Sequence, residues 1–175
     1  MAYHFFRVGP ESGKTFREYN LDFSVGEGGF NHDDDVRLVQ TLLHIVFFEP
    51  AGETVRAGMP PLPDIDDVKV DGICGPITKR YILHFKEKLV IAEPAKPLHP
   101  DKVMDPFRDN QPGSKGTISK KRYAFGALLN VAIKAQNDGG NKVNWVDNLI
   151  EDERTHPKLK SALVATRKQA RQYAR

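Results

Sequence analysis

The sequence has almost no cysteine and no long apolar segment. Cys74 is the single cysteine among 175 residues, so no disulfide can form within one chain and the redox compartment is not indicated. No apolar run approaches the ~20 residues that a membrane-spanning helix needs. The N-terminal MAYHFFRVGPESGK lacks the basic and then apolar segments of a secretory signal. We therefore expect no membrane insertion, and a protein that is cytoplasmic or exported by a non-Sec route.

The charge balance is also unremarkable. Twenty-six Lys and Arg against 23 Asp and Glu give a net charge of +3, which is too small to indicate nucleic-acid binding. The segment from Lys158 onward has six basic residues and no acidic one, but such a segment is more often a solvated helix face. The hydrophobic content of 39% is ordinary, and the length suffices to bury a core without disulfides.

Residues capable of catalysis or metal binding are scattered along the chain. No Ser/His/Asp, Cys/His or His-Glu arrangement occurs at a recognisable spacing, so we expect no enzyme, no cofactor and no metal. Two metal sites are the less favoured alternatives. One is the HDDD of residues 32–35, which helix capping explains better. The other is an ion shared by His44 and His84, which requires their helices to pack together.

The first part of the chain predicts a β-hairpin and then a helix. YHFFRV and TFREYNLDF are aromatic and β-branched, and they flank turn-forming residues at 9–13. Residues 1–30 are therefore predicted to form an N-terminal β-hairpin extension. From Asn31 to Phe48 apolar residues recur at intervals of three and four, which predicts a helix. Asn31 or Asp33 can cap it, with carboxylates in the first turn.

A Pro/Gly-rich loop at 49–69 leads to the stretch VDGICGPITKRYILHF at 70–85. Pro76 suits the first turn of a helix, because its missing N–H costs nothing there. A stripe of apolar residues then predicts a helix from about Pro76 to about Leu89. The members of that stripe are Ile77, Tyr81, Ile82, Phe85 and Leu89.

The residues before and at the start of this helix have the chemistry of a tight turn. Aspartate can accept hydrogen bonds from turn amides, and the two glycines allow backbone angles that other residues resist. A phosphate-binding loop is disfavoured, because no Gly-Lys-Ser/Thr follows and no long hydrophobic strand precedes. We expect five residues to be mainly architectural, namely Asp71, Gly72, Gly75, Pro76 and Thr78.

A looser second copy of this stretch follows. GTISKKRYAFGALL at 116–129 repeats the order of residue types in GPITKRYILHF at 75–85, which predicts a third helix from about Ser119 to Gln136. Residues 31–136 would then form one helical domain. Residues 137–175 would form a C-terminal extension with two more helices, the second with Pro157 in its first turn.

These segments together resemble the small three-helix peptidoglycan-binding domains. NHDDDVRLVQTLL at 31–43 is similar to that family's first-helix motif, with Val36, Leu38, Gln40 and Leu43 in matching places. The family's turn motif DGxxGxxT matches at 71–78, but Lys86 stands where the family usually has Gln. The resemblance covers roughly residues 25–89, or to about 135 with the second copy, and departs from the family at 49–69.

The resemblance implies a mainly α fold, in which a three-helix bundle carries an N-terminal hairpin and extra C-terminal helices. It also implies a non-catalytic module that binds bacterial cell-wall glycan and peptide. Aromatic faces and cationic side chains near the motif suit such a ligand, and the candidates are Arg80, Tyr81, His84, Arg122 and Tyr123. For both tyrosines, a place in the core is at least as good an explanation. The alternative function is a protein-interaction adaptor with the same fold, in a secretion-type or phage-like apparatus.

Overall fold

Helices predominate in the structure. The computed structural model describes residues 1–8, 15–49, 53–96, 98–106, 117–118, 121–137 and 145–173. Within these residues there are five α-helices, one 3₁₀ helix and three two-stranded antiparallel sheets. The helices are α1 Asp33–Phe48, α2 Glu53–Gly58, α3 Pro76–Ala92, α4 Ala124–Asn137, the 3₁₀ helix Trp145–Asn148 and α5 Pro157–Tyr173. The strands are β1 Tyr3–Val8, β2 Thr15–Asn20, β3 Val25–Gly26, β4 Val103–Met104, β5 Thr117–Ile118 and β6 Lys121–Arg122. In the described part of the chain, no helix has both the length and the apolar character needed to cross a bilayer.

The predicted N-terminal hairpin is confirmed, although its turn at 9–13 lies outside the described residues. β1 and β2 pair antiparallel, and His4 lies opposite Tyr19. Both of these side chains are buried. His4 donates from Nδ1 to the carbonyl of Leu163 in α5 at 2.9 Å, and the Tyr19 hydroxyl accepts from the amide of Leu149 at 3.0 Å. The hairpin therefore packs against the C-terminal segment.

α1 is the central helix, and it packs against α3, α4 and α5. It begins two residues later than the sequence predicts. The prediction that Asn31 or Asp33 caps the helix is wrong. His32 is the N-cap, and its Nδ1 accepts from the amide of Asp34 at 3.4 Å. Asn31 has a positive φ of 54°, and its side chain instead bonds Gly26 on both its N–H and its C=O. Its amide is thus used to close the turn before α1.

A short strand pairing joins two segments that the sequence did not connect. β3 pairs antiparallel with β4, with Val25 opposite Met104. Gly26 has φ of 128°, and a Cβ on it would lie 1.9 Å from the carbonyl oxygen of Lys102. Only glycine permits this close approach of the two backbones. The pairing brings the turn before α1 against the chain that follows α3.

The helix predicted from Pro76 is confirmed, and it runs three residues beyond the expected end. Its buried face contains Tyr81, Ile82, Phe85 and Leu89, as predicted. Ile77 is the exception, because it is 36% exposed. Part of the loop predicted at 49–69 forms the short helix α2, which the sequence did not indicate.

The third helix begins later than predicted. Residues 117–118 and 121–122 form the strands β5 and β6, and α4 starts only at Ala124. The second copy therefore does not start a helix as the first copy does. No proline stands at the position that corresponds to Pro76, so the sequence there does not favour a helical first turn over a strand. The buried face of α4 includes Phe125, Leu128 and Ala135.

The C-terminal segment completes a single hydrophobic core. Of the two helices predicted after Asn144, the first is only the 3₁₀ helix, and the second is α5 with Pro157 as its first residue. Leu159 and Leu163 of α5 are buried in the same cluster as Tyr19 of the hairpin. The N-terminal hairpin, the central helices and the C-terminal helix thus share one core.

Candidate functional site

Gln40 of α1 holds the turn that precedes α3. Its side chain is 1% exposed, and its Nε2 lies 2.9 Å from Asp71 Oδ1, 3.1 Å from the carbonyl of Ile73 and 3.2 Å from Thr78 Oγ1. Its Oε1 accepts from the amide of Gly72 at 2.9 Å. One amide side chain therefore bonds polar groups along the whole turn, among them the buried amide of Gly72 and the buried hydroxyl of Thr78.

The Asp71 carboxylate shapes the turn from within. Its Oδ1 accepts the amide of Ile73 at 2.8 Å, the bond that defines an Asx turn. Partial burial raises the pKa of Asp71, but the hydrogen bonds from Ile73 and Gln40 outweigh it, so the pKa lies below its usual range. The carboxylate is thus held ionised and occupied by the protein itself.

Arg37 lies one helical turn before Gln40 and closes the other side of the turn. Its Nη1 donates to Asp33 at 2.8 Å and to Asp34 at 3.2 Å, and its Nη2 donates to the carbonyl of Asp71 at 3.3 Å. Gly72 packs directly on this guanidinium, because a Cβ at Gly72 would lie 2.8 Å from it. The start of α1 and the turn are therefore joined by ionic and steric contacts.

The two glycines of the turn have different roles. Gly72 has φ of 83°, a left-handed conformation that strains any residue with a Cβ. Gly75 is the N-cap of α3 with φ of −81°, an ordinary value. The expectation that both glycines need special backbone angles is therefore wrong for Gly75, where a Cβ would meet nothing within 4 Å.

A small hollow lies beside the turn. It has a volume of about 170 Å³ and is lined by the segment 66–69, the turn and the first residues of α3. Ile73 is 68% exposed at its edge and Ile77 is 36% exposed. Lys69 and Asp71 give the hollow charged groups of both signs. A small polar ligand with an apolar face fits such a surface.

The predicted ligand residues on α3 lie at different depths. Arg80 is exposed. Tyr81 has no exposed surface, and its ring lies 5.1 Å from the ring of Phe47. Tyr81 is therefore a core residue, which the sequence allowed as the alternative to a ligand contact. His84 is half-buried, stacks on Phe47 and donates from Nε2 to the carbonyl of Pro60 at 2.9 Å. A ligand on this face of α3 therefore meets Arg80 directly and His84 only at its edge.

The candidates from the second copy lie on another part of the chain. Arg122 is in β6, and its side chain lies outside what the structure describes. Tyr123 immediately precedes α4 and is 8% exposed, so it belongs mainly to the core. α3 and α4 both pack against α1, and the buried part of Tyr123 joins that shared core.

The departure from the family pattern at Lys86 has a structural use. Lys86 is 2% exposed, and its ammonium donates to Asp101 Oδ1 at 2.6 Å and to the carbonyl of Val103. Burial lowers the pKa of Lys86, while Asp101 counters that effect. Lys86 therefore fixes the segment that carries β4 to α3, and it is not available to an external ligand.

The two possible metal sites are occupied by contacts within the protein. His44 lies between two carboxylates, with Nε2 3.0 Å from Glu49 Oε1 and Nδ1 2.9 Å from Asp67 Oδ1. Both of its nitrogens are thus used, which argues against an ion shared with His84. His32, Asp33 and Asp34 place ligand atoms within 4.8 Å of one another. Capping by His32 and the pairing of both aspartates with Arg37 account for that cluster.

Comparison of the chain with protein-family models, with curated proteins and with solved structures found no match. The resemblance to peptidoglycan-binding domains therefore depends on the motifs of the sequence and on the contacts between them.

Proposed function

We propose that this protein is a non-catalytic binding module of the three-helix peptidoglycan-binding type, with α1, α3 and α4 as its bundle. The observation that carries the proposal is the set of bonds from Gln40 to Asp71, Gly72 and Thr78. It joins the two motifs of the resemblance, one on α1 and one before α3, through the residues that match the family pattern.

The proposed contact surface lies beside the turn. Peptidoglycan presents sugar hydroxyls and peptide carboxylates, and an exposed arginine can bind a carboxylate with two parallel hydrogen bonds. Arg80 is exposed on α3, and the hollow at the turn adds Lys69 and the exposed Ile73. His84 and Tyr81 support this surface from the half-buried and buried layers.

The test is retention on purified peptidoglycan sacculi during a salt titration. Arg80→Ala should weaken the affinity for sacculi about tenfold, since a hydrogen bond to a charged group contributes ~1.5 kcal/mol or more. Lys158→Ala removes the same charge from an exposed position on α5 and serves as the control. Equal retention of both folded variants and the parent would refute the surface. Retention at the lowest salt that disappears with a small increase in salt would indicate charge attraction alone.

An exposed aromatic pair favours the second candidate function, a protein-interaction adaptor. The rings of Phe23 and Phe30 stack with centroids 4.5 Å apart, and they are 39% and 72% exposed. Aromatic residues are enriched where proteins contact one another. Phe30→Ser tests this function, and Ile91→Ser is its control, because Ile91 is another apolar residue with an exposed fraction of 76%. The adaptor function is favoured if Phe30→Ser loses a partner protein that Ile91→Ser still captures, and if sacculi are not retained.

A further inference from the structure

Phe30 is exposed on a loop that is tightly fixed to the rest of the fold. Its side chain is 72% exposed, yet the loop around it is closed by hydrogen bonds. The amide of Gly29 donates to the carbonyl of Gly26 at 3.2 Å. The amide of Asn31 donates to the carbonyl of Ser24 at 3.1 Å, and the Asn31 side chain bonds Gly26. The fold therefore holds this ring in solvent, and little conformational entropy is lost when a partner covers it.

Three rings stack at this loop. The ring of Phe30 lies 4.5 Å from that of Phe23 with an interplanar angle of 28°, and the ring of His32 lies 6.4 Å from that of Phe23 at 23°. Phe23 is fixed to α1, because its amide donates to Asp35 at 3.3 Å. Within the described residues, Phe30 contacts no ring other than Phe23, and no cation lies over it. The second face of the Phe30 ring is thus open to solvent.

The surface around the stacked rings is acidic. Residues 22–35 contain five carboxylates and no Lys or Arg, although the whole chain has a net charge of +3. Besides the titratable His32, three cations pair with these carboxylates in the described part of the chain, namely the N-terminal ammonium, Arg37 and Lys102. The surface therefore has an excess of negative charge, which attracts a cationic partner.

Glu27 is the carboxylate most available to such a partner. Its side chain is 63% exposed, and its Oε2 lies 3.5 Å from the ammonium of Lys102, which is itself 39% exposed. An ion pair as solvated as this one contributes little and exchanges readily. Asp22, next to Phe23, is also exposed and uses only Oδ2 to bind the N-terminal ammonium. Glu27, Asp22 and the stacked rings together form the aromatic loop surface, with Glu27 three residues before Phe30.

The protein itself shows how a cation uses an exposed ring. Phe6 in β1 is 53% exposed, and the guanidinium carbon of Arg17 lies 5.8 Å from the centroid of its ring. A guanidinium is planar and weakly hydrated, so it can stack on an aromatic face and still donate to a carboxylate. The ammonium of lysine has no such plane. A surface that combines an open ring with an available carboxylate therefore fits arginine better than lysine.

We propose that the aromatic loop surface docks an arginine-containing segment of a partner protein. One guanidinium stacks on the open face of Phe30 and pairs with Glu27, and a second cation of the segment pairs with Asp22. An apolar residue between them covers the exposed edge of Phe23. This inference names the partner class for the adaptor function and rests on that second candidate, whereas it does not depend on binding to the cell wall.

The experiment titrates the full chain with the peptide acetyl-Gly-Arg-Leu-Arg-Gly-amide and follows the backbone amide signals of residues 22–32 by NMR. Two matched peptides replace both arginines, one by lysine and one by citrulline, which has nearly the shape of arginine but no charge. The arginine peptide should bind more tightly than the lysine peptide. The citrulline peptide should show no saturable binding up to millimolar concentration.

Two variants with matched controls test the assigned contacts. Phe30→Leu keeps an apolar side chain but removes the aromatic face, and it should weaken binding of the arginine peptide about fivefold, as the loss of a cation–π contact predicts. Phe6→Leu is its control, because Arg17 already lies over that ring. Glu27→Gln should weaken binding about threefold, and Glu87→Gln, at an exposed position of α3, should bind as the parent does.

The proposal is overturned if the arginine peptide shows no saturable binding up to millimolar concentration, or if folded Phe30→Leu binds it as well as the parent. Equal binding of the arginine and lysine peptides would also overturn it. Capture of a partner protein that depends on Phe30, without binding of the arginine peptide, would refute this inference alone. Binding of the peptide without capture of any partner would refute the adaptor function alone, and retention on sacculi tests the cell-wall function separately.

Discussion

Gln40 and Asp71 are 31 residues apart in the sequence, yet the Gln40 amide lies 2.9 Å from the Asp71 carboxylate. The same amide also bonds the backbone of Gly72 and Ile73. Because α1 is the central helix of the core, this contact fixes the turn and the start of α3 to a helix that is buried along most of its length. The hollow beside the turn therefore has a defined shape before any ligand arrives, which limits the entropy lost on binding.

Gln40→Met should destabilise the fold by about 1–3 kcal/mol, the cost of leaving a buried polar group unsatisfied. Methionine has a similar size, but it leaves the buried amide of Gly72 without its partner, whereas the exposed Asp71 carboxylate keeps its bond from the Ile73 amide. Urea unfolding measures the change. Thr78→Val removes only one of the bonds to Gln40 and should cost about 1 kcal/mol. A loss below about 0.5 kcal/mol for Gln40→Met, smaller than most point mutations give, would contradict the role of this network.

The two glycines of the turn should respond differently to the same substitution. Gly72→Ala should cost about 1–3 kcal/mol, because φ is 83° and the new Cβ meets the Arg37 guanidinium. Gly75→Ala should cost less, about 0.5–1 kcal/mol, because alanine is a poorer N-cap residue than glycine but the φ of Gly75 is ordinary and a Cβ there meets nothing within 4 Å. Thermal unfolding of the two variants provides the comparison. Similar melting temperatures for both would be inconsistent with the strain assigned to Gly72.

Local patterns predicted local structure well. Pro76 and the apolar spacing after it indicated the start and buried face of α3, because these signals act within a few residues. The aromatic and β-branched residues around β1 and β2 likewise predicted the hairpin. Ile77 was predicted to be buried but is partly exposed, because the first turn of α3 lies at the edge of the core. Residue spacing alone does not show where the segments that cover a helix end.

Contacts between distant segments were not predictable from one sequence. The pairing of β3 with β4 depends on backbone bonds and on the space left by Gly26, and neither has a signature in residue spacing. The second copy at 116–129 matched the first in residue type but lacked its proline. The cleft that His44 and Thr155 line could not be predicted, because it forms only where the residues before α5 lie beside α1. The three-helix bundle itself stays a prediction.

Lys86 and Asp101 should show strong coupling in a double-mutant cycle. Lys86→Met leaves the Val103 carbonyl and the Asp101 carboxylate without their donor, and Asp101→Asn leaves a buried ammonium without its counter-ion. Leaving the buried Lys86 ammonium unpaired costs up to about 3–5 kcal/mol, whereas removing both charges often costs much less. Leaving Asp101 unpaired costs less than this, because its side chain is 38% exposed. We therefore expect the double variant to be less destabilised than the sum of the single variants by about 1–3 kcal/mol. Additive urea-unfolding energies would show that the pair contributes no coupling.

His44 should make the stability of the fold depend on pH near neutrality. The hydrogen bond to Glu49 raises the pKa of His44 above its usual value, partial burial opposes this, and Asp67 raises it further. The imidazolium is thus favoured in the folded protein, so its contribution is fully present below the unfolded pKa of about 6.5 and is lost as pH rises through the higher folded pKa. The loss should amount to about 0.5–1 kcal/mol, since the ion pairs are partly solvated. Urea unfolding from pH 5.5 to 9 measures this loss.

His44→Gln should remove that part of the stability profile. His84→Gln should retain it, because the ring of His84 hydrogen-bonds only a backbone carbonyl in the described residues. A profile that is the same in the parent and in His44→Gln would rule out this role for the His44 pairs.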